Sequence, residues 1–284
     1  MSFVIEASGL LASVQDLGRP GYARLGVSRG GAADRGALRL ANRLVGNPED
    51  AAGIEVTAGG FQAYAERDLL LAVTGAVGPV RIGGRAVGTN APETWRHGES
   101  LEIGAPTAGL RSYLGVAGGV ATTVVLGSRS YSRLGDLGAP LSAGERVPVG
   151  RAPGKHPVVE HAAVPPPATG ELTLAATLGP RAGWFDEAAR ATLLAESFTV
   201  TGELDRTGVR LDGPAIHRMT DAELPSEGMM RGAVQIPAGG RPIIFLSDHP
   251  ATGGYPVPLV LTPAAADAAA QLVPGMSVRF ALCG

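Results

Sequence analysis

One cysteine, Cys283, is present in 284 residues. The chain can therefore form no internal disulfide and none of the cysteine-rich metal sites. Lysine is as scarce, with Lys155 alone among 24 basic residues. A phosphate-binding P-loop needs G-x-x-x-x-G-K-[ST], and here Gly154-Lys155 is followed by His156. A Schiff-base enzyme or a serine–lysine amidase would have to rely on this one lysine in a proline-rich stretch, and neither reading survives. The five histidines show no H-E-x-x-H or similar ligand spacing, so no metal site is expected. No run approaches the roughly 20 apolar residues of a membrane span. The N-terminus lacks a basic region followed by a long apolar one, and the expected location is the cytoplasm. With a net charge of −2 and no basic tract, nucleic acid and anionic membranes are not expected partners; small molecules and proteins are.

What the chain does have is turn-forming residues. The 42 glycines and 22 prolines alternate with short apolar runs, the pattern of many short strands joined by turns. The expectation is a mainly β protein with a few short helices. "GFQAYAE" from Gly60, "SLEI" from Ser100 and "MSVRFAL" from Met276 alternate apolar and polar residues as half-buried strands do. One helix should follow Asp34, with Leu38, Ala41, Leu44 and Val45 on one face and Gly46 ending it. A second should cover residues 186–196, and a third should start at Thr262 with Pro263 in its first turn.

The two halves share several features in the same order. "DRGALRL" from Asp34 and "DRTGVRL" from Asp205 fit one frame, D-R-x-x-x-R-L. Glu55 and Glu227, Gln62 and Gln235, Thr74-Gly75 and Thr252-Gly253, and "GESLEI" and "GMSVRF" follow. This order predicts a duplicated domain. The expected division is residues 1–150, a proline-rich linker at 151–169, and residues 170–284.

The densest candidate site is "RPIIFLSDHPATGGYP", residues 241–256, where an apolar run ends in Asp248 and Thr252, Gly253, Gly254 and Tyr255 form a tight loop. Its glycines let main-chain N–H groups approach a carbonyl or carboxylate oxygen. Equally, Asp248 could form an Asx-turn and the glycines could close a hairpin. Arg206, beside Asp205, could hold a substrate carboxylate in a bidentate fork, while Asp34 reads better as a helix cap. "SVQDLGRPGY" gathers Gln15, Asp16 and Arg19 at a glycine-rich turn, either lining a cleft or satisfying the turn's own backbone. "SEGMMRGAVQ" contributes Ser226, Glu227 and Gln235, and "LGSRSYS" contributes Ser128, Arg129 and Ser130, serine next to arginine being a common surface pairing.

Several segments together, among them "VQDLGRPGY", "GGAADRGALRLANRLVGNPEDAAGIEVTAGG", "LGSRS", "LDRTGVRL" and "SEGMMRGAVQIPAGGRPIIFLSDHPATGGYP", resemble the allophanate hydrolase subunit 2 family, also called the biotin-dependent carboxyltransferase family, which includes the C subunit of 5-oxoprolinase. The resemblance runs from about residue 3 to 281. It implies two tandem cyclophilin-like β-barrel domains and a partner, the subunit 1/B protein of the same system. It also carries Gln15, Asp16, Arg19, Asp34, Asn42, Arg206, Gln235, Asp248, Thr252, Gly253 and Tyr255 over as site residues. Where family members often have serine-threonine after the arginine of "GSR", this chain has Ser130-Tyr131.

The leading expectation from the resemblance is a subunit of an ATP-dependent 5-oxoprolinase, or of an allophanate-hydrolase-like complex, acting with the subunit 1/B partner and a lactam-utilisation component. Asp248 would be the acid or base and Arg206 or Arg19 would hold the substrate carboxylate, with Gln15, Asp16, Asp34, Asn42, Gln235, Thr252, Gly253, Gly254 and Tyr255 around the substrate. The chain by itself would bind no cofactor. ATP would be used by the complex, and biotin, if involved, would ride on a separate protein, since Lys155 has no flanking methionine. The alternatives are a carboxyltransferase drawing on carboxybiotin from a separate carrier, and a non-catalytic regulator that binds a kinase-inhibitor-type partner.

Overall fold

The computed structural model describes residues 2–154, 157–220 and 222–283; Lys155 and His156 of the Gly-Lys-His stretch lie outside them. Among the described residues the chain is mainly β with three short α-helices. It divides into two compact units, one comprising Met1–Arg19 with Gly30–Pro167 and the other Pro20–Arg29 with Ala168–Gly284.

The first unit is built from two sheets. One has six strands in the order Arg146–Pro148, Ser2–Ser8, Phe61–Ala65, Ser100–Ile103, Val80–Ile82, Arg85–Val87. The other has five, in the order Leu11–Gln15, Gly53–Thr57, Ala108–Val116, Leu69–Val77, Pro92–Trp95. Alternation decides which side chains meet between them: in Phe61–Ala65 every second residue is buried, so Phe61, Ala63 and Ala65 join Phe3, Ile5, Ile54, Leu71 and Leu114 in one core. Phe3 and Trp95 bring the two sheets together there, their ring centroids 5.4 Å apart. Helix α1 (Arg35–Leu44) covers the outer face of Leu69–Val77 and Ala108–Val116 with Ala37, Leu38, Ala41 and Leu44. Asp34 caps it by accepting the Ala37 N–H at 2.8 Å.

The second unit is a closed seven-stranded barrel. Its strands run Glu171–Leu178, Leu259–Leu261, Ala233–Gln235, Ile243–Phe245, Gly208–Asp212, Phe198–Leu204 and Ser277–Leu282. The last pairs in parallel with the first, from Glu171 opposite Ser277 to Ala176 opposite Leu282. Helices α2 (Glu187–Ala195) and α3 (Pro263–Ala269) are capped by Asp186 and Thr262.

Two details refine the expectations. Closure by strand pairing belongs to the second unit, whereas the strand pairings of the first form two separate sheets. The shared D-R-x-x-x-R-L frame also falls on different elements. Asp34 starts a helix, but Asp205 Oδ1 accepts the N–H groups of Thr207 and Gly208 in a hairpin turn. Beyond that turn Val209 and Leu211 point inward and Arg210 outward, the two-residue period of a strand.

Candidate functional site

In the second unit, the hairpin turn after strand Phe198–Leu204 delivers Arg206 to Asp248. Arg206 Nε donates to Asp248 Oδ2 at 2.9 Å and its Nη2 to Oδ1 at 3.3 Å, with both residues buried. The backbone is tied at the same place, Asp248 N–H to Arg206 C=O and Leu246 N–H to Thr207 C=O, each at 2.9 Å. Two buried charges would each cost several kcal/mol unpaired, and the fork geometry offsets that cost. His249, also buried, sets Nδ1 2.8 Å from the Pro250 carbonyl, and its ring centroid is 6.4 Å from that of Phe245.

The barrel also carries an open groove of about 660 Å³, bordered by Leu204, Asp205, Thr207, Gln235, Phe245 and Tyr255; Asp205 and Thr207, on either side of Arg206 in the chain, reach its wall, whereas the buried Arg206 and Asp248 are not part of its lining. Gln235 is buried in its floor and donates Nε2 to the Tyr255 carbonyl at 3.2 Å. Gly253 packs so closely that a Cβ there would come within 2.8 Å of Gln235 Nε2. Thr252–Gly253 pairs with Glu227–Gly228, and Glu227 in turn takes a hydrogen bond from Arg181 Nε at 3.0 Å. That hydrogen bond holds the Glu227 carboxyl below its ordinary pKa. A cavity of about 540 Å³ also adjoins Gly254 and Tyr255, with Arg218 and Glu223 on its wall.

In the first unit Gln15, Asp16 and Arg19 do come together, around residues 128–131. Asp16 Oδ1 accepts from Gly18 N–H at 2.7 Å and from the hydroxyls of Ser128 and Ser130 at 2.6 Å, while Oδ2 accepts the Arg129 N–H at 2.7 Å. Arg19 donates to the Ser130 carbonyl, and Gln15 Nε2 reaches the Tyr131 carbonyl at 3.2 Å. Asp16 thus clamps a loop more than a hundred residues away in sequence. Asn42 is engaged at the other end of α1, donating to Ala51 C=O at 2.7 Å and accepting from Asn47 Nδ2 at 3.1 Å. Asp34 caps the helix start and, through its own N–H, donates to Tyr113 Oη at 2.7 Å.

Sequence reasoning passed over the rest of that last network. Tyr113 donates to Glu55 Oε2 at 2.8 Å, the same oxygen accepts Ala33 N–H at 2.8 Å, and Arg111 Nε lies 3.7 Å from Oε1. All three side chains are buried, and burial above all, then the Glu55 and Asp34 charges, pushes the Tyr113 phenol well above its usual pKa. The signal was a lone carboxylate inside the apolar strand "GIEVT". Among the described residues no cluster of histidine, cysteine and carboxylates could hold a metal ion, and no helix is long and apolar enough to cross a membrane.

Comparison with known proteins agrees with the resemblance read from the sequence. The family described as "Carboxyltransferase domain, subdomain A and B" matches residues 25–282. The chain is 36% identical to the C subunit of the 5-oxoprolinase of Escherichia coli, over 98% of its own length and 90% of that protein. It is 30% identical to the urea amidolyase of Lachancea kluyveri, but covers only 17% of it. The crystal structure of the Kluyveromyces lactis urea carboxylase superposes on the whole chain with a TM-score of 0.92 at 28% identity, the match spanning 27% of that longer protein. On this likeness along its full length, the chain belongs to the carboxyltransferase-domain family, subdomains A and B.

Proposed function

We propose that the chain is a subunit of an ATP-dependent 5-oxoprolinase that opens the lactam of 5-oxoproline to glutamate together with a subunit 1/B-type partner and a lactam-utilisation component. The observation that carries this reading is the end-to-end likeness to the C subunit of the E. coli 5-oxoprolinase, where the match covers nearly all of both chains. Nucleotide handling falls to the other components, since this sequence has no P-loop.

Within that reading the groove floored by Gln235 takes the lactam, and Asp248 is the acid or base, kept in one orientation by Arg206. Gly253 lets the Gln235 amide lie against the strand, and Tyr255, partly exposed, closes one side. Glutamate release from 5-oxoproline, assayed with this chain, its partner and the lactam-utilisation component, tests the proposal. Release that needs ATP and all components is the expected result. No release from the complete mixture would overturn it.

The superposition on a urea carboxylase favours a second reading, carboxyl transfer from carboxybiotin on a separate carrier protein. In that case the same chain would carboxylate urea or a similar acceptor when given a carboxylated carrier, and would release no glutamate.

A further inference from the structure

The loop clamped by Asp16 carries an apolar tip whose backbone is ill-suited to an apolar residue. Val125 and Ser128 exchange N–H···O=C hydrogen bonds at 2.8 and 3.2 Å, closing a two-residue hairpin over Leu126 and Gly127. Both tip residues have positive φ, 51° and 76°, as a type I′ turn requires. Asn, Asp or Gly is the favoured residue at the first of these positions, because a larger side chain crowds its own backbone there. Leucine stands there instead, with a third or more of its surface exposed, next to Val125 at 37% and Val124 at 48%. Neither local conformation nor core packing accounts for that choice. Strain at an exposed position calls for another use of the side chain.

The residue at the base of the tip points the same way. Arg129 is half-buried, and among the described residues its enclosed Nε has no hydrogen-bond partner. The Nε of Arg19, Arg35, Arg39, Arg111 and Arg231 is enclosed in the same way, but each of those guanidinium groups meets an oxygen by another route: Arg19 and Arg35 donate Nη2 to the Ser130 and Gly30 carbonyls, Arg231 Nη2 pairs with Asp267, and Arg39 and Arg111 stand 3.6 and 3.7 Å from Glu49 and Glu55. A partly desolvated guanidinium without a counter-charge is incomplete until a carboxylate meets it. Meanwhile three hydrogen bonds to Asp16, with one from Ser130 N–H to Ser128 Oγ, fix residues 128–130, so little ordering remains to be done on docking.

We propose that residues 124–129 are a docking element that seats this chain on a second protein chain whose surface offers an apolar pocket beside a carboxylate. Leu126 fills the pocket and Arg129 pairs with the carboxylate, arginine being among the residues enriched where interface energy concentrates. The inference rests on the reading above that the chain works with a protein partner, and adds where that partner is held.

The test measures binding of the full-length chain to the subunit 1/B-type protein from the same organism, by calorimetry, for the parent and for Leu126→Asn and Arg129→Gln. Leu126→Asn relieves the turn, so the free variant should melt no lower than the parent while binding at least tenfold more weakly. Arg129→Gln should also bind at least tenfold more weakly, with a smaller salt dependence. Lost turnover in the reconstituted mixture should return when the partner is supplied in excess. Leu10→Asn, at an exposed leucine elsewhere on the unit, should bind like the parent. If the parent binds and both loop variants bind as tightly, the docking element is wrong while the proposed activity stands. Weakening by Leu10→Asn equal to that by Leu126→Asn would also overturn it. If the parent itself does not bind, the docking element fails together with the partner half of the proposed function.

Discussion

Arg206 and Asp248, separated by 42 residues in the chain, hold each other twice over, through a two-nitrogen fork between side chains and through a hydrogen bond between their own backbones. The carboxylate is thus both a candidate for chemistry and a strut of the barrel. These roles separate under mutation. Asp248→Asn keeps an oxygen for Arg206 and should lower activity of the reconstituted complex by about a hundredfold or more. Asp248→Ala strands a buried guanidinium and should cost about 3–5 kcal/mol in urea denaturation. Full activity in the Asn variant would make Asp248 a strut alone.

The Asp16 clamp predicts a stability effect confined to the first unit. Four donors converge on one carboxylate, and removing it leaves Ser128, Ser130 and two backbone N–H groups without their acceptor. Asp16→Ala should therefore cost about 3 kcal/mol, given roughly 1–3 kcal/mol for each buried group left unsatisfied and partial relaxation of the loop. Asp16→Asn should fall between. A loss under about 0.5 kcal/mol by denaturant titration would mean that the loop is held some other way.

Gly253 makes a sharper demand on activity than on folding. An added methyl would sit 2.8 Å from Gln235 Nε2 and 3.0 Å from Met229 Cε, both on side chains that can shift. Gly253→Ala should leave the melting temperature within a few degrees of the parent and displace the Gln235 amide. The KM for 5-oxoproline should then rise about tenfold, given the cost of misplacing one polar contact. An unchanged KM would remove Gln235 from the substrate's contacts.

Tyr113 predicts a behaviour at high pH. Its phenol is raised by burial and by the nearby carboxylates, so the folded state resists ionisation that the unfolded chain undergoes near pH 10. Stability from this group is therefore constant below about pH 10 and falls as pH rises beyond it. Tyr113→Phe should cost about 1–3 kcal/mol at pH 8, because Glu55 loses a donor and the Asp34 N–H its acceptor. The gap between parent and variant should narrow above pH 10 in urea titrations. A gap that widened would contradict the assignment.

Secondary structure was legible wherever local chemistry decides it. Asp34, Asp186 and Thr262 cap the three helices where the sequence places them, because a side-chain oxygen followed three residues on by a backbone N–H is a local event. The "GFQAYAE" alternation reads directly as the strand Phe61–Ala65. The D-R-x-x-x-R-L frames misled because seven residues fit a helix turn or a hairpin equally well, and contacts far along the chain choose between them. The same holds for the polar residues. Asp248 reads as a turn cap or a buried charge until Arg206 is brought to it, and Asp16 reads as a loop residue until Ser128 and Ser130 arrive from more than a hundred positions away. Glu55 in an apolar strand was a legible anomaly, although its partners Tyr113 and Arg111 were not.

The parallel contact between Glu171–Leu178 and Ser277–Leu282 has a consequence for biosynthesis. It joins the first strand of the ring to the last, so every other strand is made before the ring can shut. Until residue 282 leaves the ribosome, the nascent second unit exposes two unpaired strand edges, the kind of surface that recruits other chains. A nascent chain paused or cut short before Ser277 would stay an open sheet, and chaperone binding to it should persist until those last six strand residues emerge.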